Sequence, residues 1–209
     1  METFNRKQHW EEIYKTKKPG EVSWFQPTPS TSLDFVKYFN IPLGAKIIDI
    51  GGGDSFFADH LLDLGYRDIT VLDISESAFR RAKQRLGGRA EKVNWIVADA
   101  ATFSPAMQYD FWHDRAAFHF LTEEQEIGHY IDAARQGIKP AGVLVIGTFS
   151  PDGAKKCSGI EIRQYSEETM QARVGKCFIK ERCVVVDHLT PFDTVQKFIF
   201  CGFRRLADL

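Results

Sequence analysis

Residues 45–55 read Ala45-Lys46-Ile47-Ile48-Asp49-Ile50-Gly51-Gly52-Gly53-Asp54-Ser55. A short β-branched run ending in glycines reads as a buried strand that turns sharply. The chain beyond the turn has helical rhythm, with Phe57, Leu61 and Leu64 on one face until Gly65 stops it. Glycine at such a turn permits positive φ and, lacking Cβ, lets a ligand approach the backbone. In open parallel sheets, ligands sit at the carboxyl ends of strands where the strand order reverses. The plain alternative is a tight turn with no ligand.

The same rhythm extends in both directions. Residues 69–73 form a second strand, after which Ser75 caps a helix carrying Phe79, Ala82 and Leu86 that Gly87-Gly88 ends. Residues 93–97 give a third strand and residues 109–112 a fourth. Thr122-Glu123-Glu124-Gln125 has the spacing of a capping box, opening a helix with Ile127, Tyr130, Ile131, Ala134 and Ile138 on one face. Lys139-Pro140-Ala141-Gly142 breaks that helix, and Val143-Leu144-Val145-Ile146 reads as a fully buried strand. Upstream, residues 30–39 predict a helix with Leu33, Val36 and Phe39 inward. Downstream, a polar loop over 150–159 and a Ser166-capped helix over 165–174 lead to strands over 177–188 and 194–203. The connection over 189–193 is too short for anything but an antiparallel hairpin. The fold class is α/β: parallel sheet first, helices on both faces, antiparallel hairpin last.

A chain of 209 residues fits one domain. With 27 Lys+Arg against 28 Asp+Glu, the net charge of −1 gives no electrostatic footprint for nucleic acid or a membrane surface. The longest apolar runs, about seven residues even counting glycine, fall far short of the ~20 that span a bilayer. Residues 1–18 are polar and lack the apolar core of a secretory signal. Cys157, Cys177, Cys183 and Cys201 form no C-x-x-C pair, so no zinc site or redox couple is expected. The expectation is a reduced, cytoplasmic protein without a metal. The oligomeric state does not follow from the sequence.

A dinucleotide fingerprint fits Gly51 and Gly53 but would need a third glycine where Phe56 stands. A phosphate-binding P-loop is absent altogether. Asp73, at the end of the second strand and 20 residues after Gly53, is placed to accept hydrogen bonds from both hydroxyls of a ribose. Asp99 ends the third strand, where an acid can accept from an exocyclic amine such as that of adenine. Taken singly, either acid reads equally well as a helix cap or a solvated strand end. Both at successive strand ends, after the glycine turn, argue for a nucleoside.

These residues resemble the class I S-adenosylmethionine-dependent methyltransferases over roughly residues 5–204. IIDIGGGDS is similar to their glycine motif, VLDIS to their ribose-binding strand end, and VADA to their adenine-contacting segment. YDFWHDRAAFHFLT resembles their fourth strand and loop, and IKPAGVLVI the lead into strand five. Ser55 departs from the third glycine of many members, though some protein-lysine methyltransferases share it. The resemblance implies a Rossmann-like three-layer sandwich whose seven-stranded, mostly parallel sheet runs 3-2-1-4-5-7-6. It implies a single domain over 1–209, with residues 1–40 covering the cofactor and 150–175 capping the substrate. S-adenosyl-L-methionine would be held by Trp24, Asp49, Gly51, Gly52, Gly53, Asp73, Ile74, Asp99, Ala100 and Arg115.

The opening His9-Trp10-Glu11-Glu12-Ile13-Tyr14, with Trp24, resembles thiopurine-type and elongation-factor lysine methyltransferases. That places Trp10, Tyr14 and Trp24 at the cofactor, against the alternative of a helix burying its aromatics on the sheet. Asp114-Arg115-Ala116-Ala117 is similar to a segment in which the arginine helps hold the cofactor, against the alternative of an ion pair with Asp114. His113 and His119 are the candidates for a catalytic group, each also readable as a core histidine; His188 is weaker. The implied activity is methyl transfer to a small molecule or a protein lysine. The alternative is a catalytically silent S-adenosylmethionine-binding protein acting through a partner.

Overall fold

The computed structural model describes residues 4–207. α1 (Arg6–Thr16) and α2 (Ser30–Tyr38) precede β1 (Lys46–Ile50), α3 (Phe57–Asp63), β2 (Asp68–Asp73), α4 (Glu76–Leu86) and β3 (Val93–Val97). β4 (Tyr109–Arg115), a 3-10 turn (Phe118–Phe120), α5 (Glu124–Gly137) and β5 (Ile138–Phe149) follow. A small hairpin of β6 (Lys156–Cys157) and β7 (Ile160–Glu161) then leads to α6 (Glu167–Val174), β8 (Phe178–Leu189) and β9 (Val195–Arg205). The large sheet has seven strands in the order β3-β2-β1-β4-β5-β9-β8. Its first five strands pair in parallel, while β9 pairs antiparallel with both β5 and β8. Numbering those seven strands alone gives 3-2-1-4-5-7-6.

Strand alternation divides the core in two. Ile47, Phe111, Val143 and Val145 face α2 and α3, packing with Phe35, Leu61 and Phe57. Ile48, Ile50, Trp112, Leu144 and Ile146 face the other way, onto Ile127, Tyr130 and Ala134 of α5 and Met170 and Val174 of α6. The central strands are buried on both faces, as parallel sheets require. Ser75 and Ser166 cap α4 and α6, accepting from Ala78 N and Thr169 N respectively.

Three expectations are corrected. The capping box at Thr122 does not form: α5 starts at Glu124, and its N-cap Glu123 makes no side-chain bond. The Thr122 carbonyl instead accepts from Arg163, which also reaches Glu124, so the entry to α5 is fixed by partners distant in sequence. The fourth strand runs on to Arg115, which puts His113, Asp114 and Arg115 in the sheet. Not all the cysteines are reduced: Cys183 and Cys201 form a disulfide, leaving Cys157 and Cys177 free. The two bonded residues lie directly opposite each other in the β8–β9 ladder with Cα atoms 4.2 Å apart, within reach of a single bridge.

Phe111 is fully buried on the central strand β4. Phe111→Ala is expected to destabilise the fold by about 3–5 kcal/mol, read as a lowered midpoint of chemical denaturation with unchanged slope.

Candidate functional site

A cleft opens at the carboxyl ends of β1, β2 and β4, where β1 separates strands that progress in opposite directions across the sheet. It encloses about 1010 Å³ of space free of protein atoms, its open mouth included. Of the expected cofactor residues, Trp24, Asp49, Gly51, Gly52, Asp73, Ile74, Asp99, Ala100 and Arg115 line it. Gly53 stands just behind, and its conformation explains the glycine: φ is +50°, and a Cβ would strike the Tyr14 hydroxyl and come 3.1 Å from Asp73 Oδ2. Gly51, at φ +64°, would drive a Cβ into that of Ala117. The turn is therefore squeezed between α1, the end of β2 and the loop after β4.

The aromatics of the N-terminal segment roof this cleft. Trp10 meets Phe120 edge-on at 5.0 Å and Trp24 at 5.7 Å, and the buried Tyr14 lies 6.5 Å from Trp24. All three expected aromatics line the space. Two anchors hold the roof down. Arg6 forks between Asp99 (3.1 and 3.0 Å) and Glu126 (2.9 and 2.9 Å), while Glu11 accepts from the first amides of α4.

The strand-end acids have different lives. Asp73 Oδ1 accepts from Ser75 N at 2.8 Å, and burial pushes its carboxyl up to about 7. Asp99 accepts from Ala101 N at 2.9 Å as well as from Arg6, so its oxygens are already engaged within the protein. Asp49 accepts from neither: its Oδ1 lies 2.7 Å from His113 Nδ1, and His113 Nε2 lies 2.9 Å from Ser32 Oγ. The register that sets Asp49 beside His113 on neighbouring strands makes this chain of bonds possible. Both ring nitrogens of His113 are thereby committed to holding β1, β4 and α2 together.

Arg115 makes no ion pair with Asp114. Asp114 points away, accepting from Tyr130 Oη at 2.8 Å and from the amides of Ala117 and Phe118. Arg115 donates to the Trp24 carbonyl, fixing the loop that carries one roof aromatic. His188 accompanies it, its Nε2 2.6 Å from the Ser23 carbonyl. Burial lowers the Arg115 guanidinium to about 10, so it remains a cation at neutral pH. No carboxylate lies within 4.0 Å of it among the described residues.

His119 also lines the cleft, wholly buried, with neither ring nitrogen hydrogen-bonded. Phe149 and Cys157, at the start of and within the segment expected to cap the substrate, line the same space, and so do Arg6, Phe120, Gln196 and Phe198, which sequence reasoning missed. Gln196 and Phe198 come from β9, more than 140 residues beyond the glycine turn, and its return beside β5 brings them in.

Residues 47–142 match the family model described as a methyltransferase domain. That stretch, just under half of the chain, is similar to methyltransferase domains. Among its relatives, the mouse (Mus musculus) eEF1A lysine and N-terminal methyltransferase is 26% identical over 128 residues, covering 59% of this chain. The zebrafish (Danio rerio) EEF1A lysine methyltransferase 2 is 26% identical over 155 residues, covering 67% of this chain. The matched stretch spans 18% of the mouse protein and 66% of the zebrafish protein. Among solved structures, the N-methyltransferase NodS from Bradyrhizobium japonicum WM9, in complex with S-adenosyl-L-homocysteine, superposes with TM-score 0.70 at 18% identity, covering 96% of this chain and 99% of that one. A methyltransferase from Anabaena variabilis gives TM-score 0.75 at 13% identity over 97% and 96% of the two chains. At those identities the superpositions speak to the fold, which they share.

His113→Phe keeps an aromatic ring but strips Asp49 and Ser32 of their buried partner. The expected loss is about 2–4 kcal/mol in chemical denaturation, since an unpaired buried charge costs more than a neutral group.

Proposed function

We propose that this chain binds S-adenosylmethionine in the cleft and transfers its methyl group to a small-molecule or protein-lysine acceptor. The observation that carries the reading is a pair of buried ionisable groups on one cleft with no ion-pair partner within 4.0 Å among the described residues: the Arg115 cation, and the Asp73 carboxyl beside the glycine turn. An amino-acid carboxylate suits the guanidinium, and ribose hydroxyls suit Asp73. Ile74 and Ala100 would flank the base, beside the Asp99 that Arg6 holds. Trp10, Tyr14 and Trp24 would present aromatic faces to a cationic donor and keep water out.

The bound donor supplies a methyl carbon on a sulfonium, where an acceptor lone pair forms the new bond as the carbon–sulfur pair stays on sulfur. The protein's share is orientation. Arg115 and Asp73 would fix the two ends of the donor, and the roof would hold the reacting atoms in line. The lysine part of the reading rests on the printed names of the mouse and zebrafish relatives. The small-molecule part rests on the enclosed shape of the cleft.

Calorimetric titration with S-adenosylmethionine and S-adenosylhomocysteine tests the reading. Saturable binding is expected, weakened at least about a hundredfold in Asp73→Ala and about tenfold in Arg115→Met, with circular dichroism unchanged. No saturable binding to the wild-type chain would overturn it. The pH dependence has a definite sign. Hydroxyl donors favour ionised Asp73, whose carboxyl in the free protein titrates at about 7. Affinity should therefore climb as pH rises, by up to about tenfold per unit below 7, and level off above it. Asp73→Asn, measured by the same titrations from pH 5.5 to 8.5, should flatten the slope.

A further inference from the structure

The far wall of the cleft differs in chemistry from the nucleoside wall. It is made by the 3-10 turn Phe118–Phe120, the end of β5, the β6 hairpin and β9. The His119 ring stacks on Phe149 at 5.0 Å with 23° between planes, and meets Phe120 edge-on at 4.4 Å. Phe149 in turn packs on Phe198 at 4.4 Å. Neither nitrogen of His119 has a partner, and neither does the buried Oε1 of Gln196. Burial lowers the imidazole to about 3 and raises the Cys157 thiol to about 11, so both are neutral throughout the physiological range.

Every carboxylate that lines the cleft lies elsewhere. Asp49, Asp54, Asp73 and Asp99 all belong to β1, β2, β3 or the loops that leave their carboxyl ends. Three of the four are also taken, by His113, Arg81 and Arg6 respectively for Asp49, Asp54 and Asp99. Of the charged residues that line the cleft, the cationic Arg115 is the nearest in sequence to the far wall.

We propose that this far wall is the acceptor pocket, and that it takes an uncharged, planar aromatic or heteroaromatic small molecule whose N–H or O–H donates to His119. The proposal rests on the function proposed above and narrows its substrate. A buried polar group with no partner costs free energy that a ligand can recover, and a neutral imidazole offers one lone pair and one N–H. Aromatic rings on either side of that imidazole suit a flat ligand. A lysine ε-ammonium would need a carboxylate to offset its desolvation, and this wall has none. The segment over 150–175 helps close the pocket: Arg163 N donates to the His119 carbonyl at 2.8 Å, and Cys157 faces the cleft. His119 is a binding residue in this account. With so low a basicity it orients the acceptor and leaves the proton to solvent.

Three matched probes test the proposal on protein saturated with S-adenosylhomocysteine: 2-naphthol, naphthalene and 1-naphthylmethylammonium. The naphthol should bind about tenfold more tightly than naphthalene and at least about tenfold more tightly than the ammonium. His119→Phe should erase the preference for naphthol over naphthalene while its affinity for S-adenosylhomocysteine stays within about twofold. His119→Gln, which keeps an acceptor and a donor, should restore part of it. Ammonium binding as tight as naphthol, absent naphthol binding, or a naphthol preference that survives His119→Phe would each overturn the proposal. Failure of S-adenosylhomocysteine to bind would instead overturn the function on which it rests.

Discussion

The hydrogen bond between Asp49 and His113 holds the floor of the cleft. At 2.7 Å, with both residues almost wholly buried, it joins the two central strands just where they reach the cleft. His113 passes the connection to Ser32, so that α2 is tied to the same point. The glycine turn begins one residue after β1 ends, and Asp114 and Arg115 follow His113 directly. The direction in which those functional groups leave the sheet depends on this pair staying in register. A buried carboxylate is costly alone, and its partner is what makes the position tenable.

Polarity is divided across the cleft. The side built from β1, β2 and β3 carries all its lining carboxylates, and the side built from β5, β6 and β9 carries aromatic rings and neutral polar atoms. Arg115 stands between them. A methyl donor that is charged at both its amino-acid end and its sulfur suits the first side. The second side excludes water and rewards shape. Such a division would give the two molecules of the proposed reaction separate places in one cavity.

Much of this was legible in the sequence because it is local. The strand–glycine–helix signal at 45–57 and the acids at Asp73 and Asp99 are read from spacing, and the structure brings them to one cleft. The strand order followed from resemblance, and the antiparallel return of β9 from the shortness of its connection. What escaped depends on distance in the chain. Arg6 meets Asp99 across 93 residues and Glu126 across 120, pairings that no periodicity announces. Glu123 supplants Thr122 at the start of α5 because Arg163 claims the preceding carbonyl. The disulfide needed the β8–β9 register, since residues 183 and 201 carry no spacing signature of their own.

The anchoring of α1 bears on how the molecule assembles. The helix is the first element of the chain, yet its anchors lie in α4, at the end of β3 and in α5. During synthesis its anchors emerge in turn, in α4, at Asp99 and, 120 residues after Arg6, at Glu126. No strand pairing involves it, so it can also leave without disturbing the ladder. It forms a separate cooperative unit whose amides should exchange with solvent through openings far less costly than global unfolding. The roof over the cavity is thus held by partners that all arrive after it, and it can be released without breaking a strand pair.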